Sequence, residues 1–163
     1  TVIESPVLLR AARFAVLGRG EVFVQDTLTS SVRGVMRGLH YRISPQAKLV
    51  MCVEGEVYDV AVDVRRGSAT FGQWFGTELS AANRRQLYIP AGFAHGYQAL
   101  RDGTDTSYQV GEFYTPEAEG GLLHDDPRLA LRWPLPVSVI SDKDLKFGLL
   151  DAIEPEVKRR MAG

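Results

Sequence analysis

Short apolar stretches separated by turn residues fill the middle of the chain. The clearest pair is Lys48-Leu-Val-Met-Cys-Val53 and Val57-Tyr-Asp-Val-Ala-Val-Asp-Val64, β-branched and apolar, flanking Glu54-Gly55-Glu56. So short a connection between two such runs predicts a β-hairpin. Alternation in the second run puts Val57, Asp59, Ala61 and Asp63 on one face and Tyr58, Val60, Val62 and Val64 on the other. Two carboxylates on so apolar a strand are costly unless paired or hydrated. Further strands are predicted at 71–78, 85–90, 95–101 and 106–113. Helical signals are confined to the ends. Ser5-Pro6 resembles a cap and first turn for a helix over 5–18 closing at Gly18, Asp142 caps a short helix through about residue 151, and another covers 154–161.

Many short strands without alternating helices argue against a doubly wound sheet. The expected fold is all-β, a jelly roll (double-stranded β-helix) of the cupin type with short terminal helices. One domain is expected over 163 residues, with an N-terminal segment at 1–22, the jelly roll at 23–140 and a helical segment at 141–163. Lys and Arg number 19 and Asp and Glu 20, so the formal net charge is 19 − 20 = −1, which gives no general attraction to nucleic acid or anionic lipid. A single cysteine, Cys52, makes neither an internal disulfide nor a multi-thiolate metal site. No apolar run approaches the roughly 20 residues of a membrane span and no leader pattern opens the chain, so the expected compartment is the cytoplasm. Dinucleotide, phosphate-loop and nucleophile-elbow motifs are all missing from the sequence.

Three histidines concentrate the candidate chemistry. His40 lies in Gly34-Val-Met-Arg-Gly-Leu-His-Tyr41, where two glycines bracket Arg37. The stretch reads either as an anion clamp beside a general base or as a surface strand with an incidental histidine. His95 closes Pro90-Ala-Gly-Phe-Ala-His95, a spacing like the second motif of cupins. The His-x-His pair of metal-binding cupins has no counterpart around Lys48–Val62, which points to a metal-free cupin. His124, before Asp125-Asp-Pro127, reads as an exposed loop residue and the two aspartates as turn formers. Lys48 is either a snorkelling strand end or a cation for a developing enolate; Tyr108 is either strand packing or a general acid.

Together these stretches resemble the dTDP-4-dehydrorhamnose 3,5-epimerase family. The resemblance runs through Arg33-Gly-Val-Met-Arg-Gly-Leu-His-Tyr41, Gln46-Ala-Lys-Leu-Val50, Gly55-Glu-Val-Tyr-Asp59, Thr70-Phe-Gly-Gln-Trp74 and Arg85-Gln-Leu-Tyr-Ile-Pro90. It continues in Gly92-Phe-Ala-His-Gly96, Asp125-Asp-Pro127 and Ser141-Asp-Lys-Asp144. It implies a cofactor-free homodimer, with exchanged N-terminal strands, that epimerises a dTDP-linked 4-keto-6-deoxyhexose next to its ketone. By position it implies His40 as base, Asp144 as the carboxylate behind it, Tyr108 as acid and Lys48 as the cation at the enolate oxygen. It further implies Asp59 and His95 as a buried pair near the sugar, Arg37 as a diphosphate ligand, Gln25 and Glu119 near the nucleotide, and Phe113 stacking on base or sugar. Phe113 stands where the family commonly has tyrosine, Gln109 where it has lysine and Thr27 where it has asparagine. The family's Asp-x-Arg-Gly-Phe-Phe segment has no counterpart near the N-terminus. These departures fit a narrower specificity, such as inversion of one carbon.

Overall fold

A computed structural model describes residues 2–4, 22–44, 46–113 and 115–160. The helix expected over 5–18 lies outside the described residues. Among those described, ten strands form two five-stranded sheets: β1 (Val2–Glu4), β2 (Gln25–Ser31), β3 (Met36–Arg42), β4 (Lys48–Glu54), β5 (Glu56–Asp63), β6 (Trp74–Ser80), β7 (Arg85–Ile89), β8 (Phe93–Ala99), β9 (Thr104–Val110) and β10 (Glu119–Gly121). One sheet runs β1-β7-β4-β9-β2, the other β10-β3-β8-β5-β6, with every pairing antiparallel. Successive strands mostly alternate between the sheets, the winding of a jelly roll, and the fold expected from the sequence is the one found.

The connection at Gly55 differs from the expected hairpin. β4 and β5 belong to different sheets, and the chain turns a corner between them. Gly55 has a φ of +73°, and a Cβ there would lie 2.4 Å from Thr104 Oγ1, so the corner needs both the left-handed backbone and the missing side chain. Two apolar strands in sequence fit a corner as well as a hairpin, because each sheet presents an apolar face to the other. β5 pairs instead with β8 and with β6, the latter across a long loop tied down by Asp63. That buried carboxylate accepts from Arg65 N–H, Nε and Nη2, from Ser68 Oγ and from Thr70 Oγ1 at 2.6–3.0 Å. Burial opposes its ionisation, but these donors outweigh it and hold its pKa well below the usual carboxylate range. Residues 71–73, expected in a strand, belong to this loop; β8 and β9 each start about two residues before the expected positions. β1 pairs antiparallel with β7 at the edge of the first sheet.

The interior between the sheets holds Val50, Cys52, Val57, Ala61, Leu79, Leu87, Ile89 and Tyr97. Val60, Val62 and Val64, on the opposite face of β5 and just beyond it, are covered by the C-terminal helix α1 (Leu150–Arg160) through Leu150, Ile153 and Val157. The centre of the second sheet is therefore buried on both faces, while its edge strand β6 leaves Trp74 and Phe75 exposed. Asp126, expected in an ordinary turn, is 2 % exposed and accepts the Leu150 N–H, capping α1 from a distant loop. The C-terminal helices differ from expectation too: Asp144–Lys146 forms a single 3-10 turn, and one helix spans 150–160. No helix among the described residues is long and apolar enough to cross a membrane.

Candidate active site

A cavity of about 490 Å³ opens between the two sheets. The second sheet supplies one wall through β3 and β8, with Arg37, His40, Arg42, His95 and Tyr97. The first supplies the other through β2, β4 and β9, with Gln25, Thr27, Thr29, Lys48 and Tyr108. The loop at 139–144 closes one side.

Two glycines bring the histidines together. Gly38 has a φ of +112°, and a Cβ there would lie 2.6 Å from the His95 carbonyl oxygen; a Cβ on Gly96 would lie 2.7 Å from the Arg37 carbonyl oxygen. Only glycine at both positions lets β3 and β8 approach this closely. The register of β3 shifts between Arg37 and His40, so Arg37 faces Tyr97 and His40 faces His95. The shift also turns the Gly38 N–H outward, where it donates to Asp144 Oδ2 at 3.0 Å.

Asp144 opens the 3-10 turn and comes from more than a hundred residues away in the chain. Its loop is anchored on β3 by Ser138 N–H to the Gly34 carbonyl (3.0 Å) and Met36 N–H to the Val139 carbonyl (2.8 Å). Asp144 Oδ1 lies 2.8 Å from His40 Nε2. Burial opposes ionisation of this carboxyl, but His40 and the Gly38 N–H outweigh it and hold the pKa below its ordinary value. An ionised Asp144 accepts a hydrogen bond from Nε2–H, which fixes the tautomer and leaves Nδ1 as the ring nitrogen with a free lone pair. Phe147 meets the imidazole edge-on at 5.6 Å and packs where a side chain on Gly121 would stand, so the ring is held from two sides.

His95 Nε2 sits 3.1 Å from both oxygens of Asp59, which is fully buried beneath it. Asp59 thus has the partner its place on β5 demanded. Burial lowers the His95 pKa despite Asp59, so the pair holds a neutral imidazole. Lys48, at the start of β4, has its pKa lowered to about 8, first by burial and also by Arg42, with Glu119 opposing. Glu119, on β10, pairs with Lys143; burial raises its pKa, but Lys143, His40 and Arg42 bring it below the ordinary value.

Nine of the ten residues singled out from the sequence meet here: Gln25, Arg37, His40, Lys48, His95, Tyr108, Glu119 and Asp144 line the cavity, and Asp59 supports His95 from beneath. Phe113 does not line it. Its side chain is 68 % exposed, and its carbonyl oxygen accepts from Arg42 Nη1 at 3.3 Å, because the chain has left β9 three residues earlier and no ladder turns the ring inward. Arg42, Tyr97 and Lys143 were not anticipated. Alternation would have found the first two, since Arg42 follows His40 and Tyr97 follows His95 by two strand positions. His124 is half-buried rather than exposed, with its carbonyl oxygen taking the Trp133 indole N–H. Among the described residues no group of three or more His, Cys, Asp and Glu side chains is placed to hold a metal ion.

An imidazole backed by a buried carboxylate on one sheet shares the cavity with a phenol and a lysine on the other, a set of groups suited to moving protons in an acid–base enzyme. Residues 8–152 match the family model described as dTDP-4-dehydrorhamnose 3,5-epimerase. The dTDP-4-dehydrorhamnose 3,5-epimerase of Shigella flexneri is 50% identical over 131 residues, 79% of this chain and 72% of that protein. The dTDP-4-dehydrorhamnose 3-epimerase of Streptomyces niveus is 43% identical over 135 residues, 81% of this chain and 65% of the relative. Among solved structures, a dTDP-6-deoxy-D-glucose-3,5-epimerase from Legionella pneumophila in complex with dTDP-4-keto-L-rhamnose is 45% identical. It superposes with a TM-score of 0.86 over 92% of this chain and 81% of its own. The chain belongs to the dTDP-4-dehydrorhamnose 3,5-epimerase family, and so to the isomerases.

Proposed function

We propose that the protein epimerises a dTDP-linked 4-keto-6-deoxyhexose at carbons flanking the ketone, using its own side chains and no cofactor. The single observation that carries this reading is the placement of His40 and Tyr108 on opposite sheets of one cavity. Inversion of a carbon needs removal of a proton from one face and its return to the other, and a lone acid–base residue cannot serve both. His40 takes the proton at Nδ1 while Asp144 stabilises the imidazolium that forms. Electrons from the broken C–H bond move onto the C4 oxygen, where the Lys48 ammonium stabilises the enolate. Tyr108 then returns a proton to the same carbon from the opposite side. Arg37, half-buried and anchored by Ser31 Oγ and the Ser30 carbonyl, meets the diphosphate. Gln25 and Glu119 flank the nucleotide, and His95, held from beneath by Asp59, contacts the sugar. Two copies of the chain form the working enzyme.

A narrower reading, inversion of one carbon, has a precedent in the Streptomyces 3-epimerase and fits the departures at Phe113, Gln109 and Thr27. Incubation with the 4-keto-6-deoxyglucose nucleotide in deuterium oxide, followed by proton NMR, separates the two: both flanking positions exchange, or one does. His40→Asn abolishes exchange at every position. Full exchange in that variant would remove His40 from the mechanism.

A further inference from the structure

We propose that Tyr97 reads the hydroxyl on C2 of the hexose and makes the enzyme prefer 2-hydroxy over 2-deoxy sugars. This deepens the sugar-nucleotide reading and rests on it.

The observation is the order of side chains along the cavity floor. β3 and β8 meet there in two rungs, His40 opposite His95 and Arg37 opposite Tyr97. The first rung moves protons and the second carries the cation for the diphosphate. A nucleotide hexose is joined to its diphosphate through C1, so the sugar atoms between the reacting carbon and the phosphate lie over the step from one rung to the other. Going from C3 toward C1, that atom is C2 with its hydroxyl. Going from C5, it is the ring oxygen, which has no hydrogen to donate.

Tyr97 is made to meet a donor. Its ring leans on His95 (6.2 Å between centroids), it is 2 % exposed, and it lines the cavity. Its Oη lies 2.7 Å from Thr29 Oγ1 on the opposite sheet, and Thr29 Oγ1 donates in turn to the Thr106 carbonyl oxygen at 3.3 Å. With the threonine proton used there, the phenol donates to Thr29, and its own lone pairs turn toward the Arg37 side and the Ser31 and Thr106 hydroxyls beside it. Burial raises the phenol's pKa, so it stays neutral. What remains is an oriented acceptor beside Arg37, suited to a sugar O–H.

The test compares kcat/KM for the 4-keto-6-deoxyglucose nucleotide and its 2-deoxy counterpart. The protein as it stands is expected to favour the 2-hydroxy sugar about 3- to 10-fold, the range of one neutral hydrogen bond. Tyr97→Phe brings the ratio to about one. Thr29→Val, which removes the acceptor that orients the phenol, also lowers it and serves if Tyr97→Phe does not fold. Equal losses on both sugars, or a ratio that survives the substitutions, would overturn the assignment. Deuterium exchange into the hexose with a starting ratio of one overturns this inference alone; no exchange into either sugar overturns the epimerase reading and this one with it.

Discussion

In the proposed mechanism Asp144 acts through the tautomer of His40, and a substitution of one atom type tests that. In Asp144→Asn the amide nitrogen can donate to His40 Nε2, which moves the imidazole proton to Nδ1, the nitrogen facing the substrate. The lone pair needed for deprotonation is then lost, together with the charge that stabilises the imidazolium. The expected fall in kcat is about 10²- to 10⁴-fold, with KM little changed. Steady-state kinetics read both numbers, and a kcat within a few-fold of the starting enzyme would show that the carboxylate is not needed behind the base.

At the scale of elements, the close approach of β3 and β8 decides whether the two histidines share a cavity. Gly96→Ala tests it directly. The new methyl would lie 2.7 Å from the Arg37 carbonyl oxygen and 2.9 Å from Leu39 Cδ2, and a backbone oxygen in a ladder cannot step aside. The strands must separate, at a cost of about 1–3 kcal/mol from overpacking. For a domain of this size that lowers Tm by about 2–4 °C per kcal/mol. Activity is expected to fall further than stability accounts for, because His95 and His40 move apart. Thermal unfolding and turnover on the same preparation separate the two effects.

For the whole molecule, the cation in the cavity works against the fold that holds it. Burial disfavours the Lys48 ammonium and lowers its pKa to about 8, whereas the unfolded chain keeps a lysine near 10.4. At pH 7 both states are protonated and the folded state bears the desolvation cost. Between pH 8 and about 10.4 the folded protein has released the proton and the unfolded chain has not, so the unfolded state binds more protons and this group's contribution to stability rises with pH. Lys48→Met is therefore expected to raise Tm at pH 7, with a gain that shrinks toward pH 10, while turnover collapses. A lower Tm at pH 7 would show that partners such as Glu119 outweigh the burial.

The local record in the chain was enough for the architecture and most of the site. Period-two apolar runs broken by glycine specify strands, and their number without intervening helices specifies a jelly roll. The costly Asp59 on β5 announced that it needed a partner, and the motif stretches singled out His40, Lys48, His95, Tyr108 and Asp144, which meet at one cavity. Strand pairing was less legible. The Gly55 corner read as a hairpin because alternation tells which face a residue occupies, not which sheet its strand joins. β2, polar along Gln25–Ser31, gave no hydrophobic signal, since an edge strand wets one face and lines a polar cavity with the other. Phe113 carries an aromatic signature into a position the backbone leaves at the surface. What the sequence by itself determined is which residues alternate, turn and carry charge. The meeting of Tyr97 with Thr29 was decided by tertiary structure alone, because a hydrogen bond across 68 residues depends on how two sheets close over one another, and no local pattern encodes that closure.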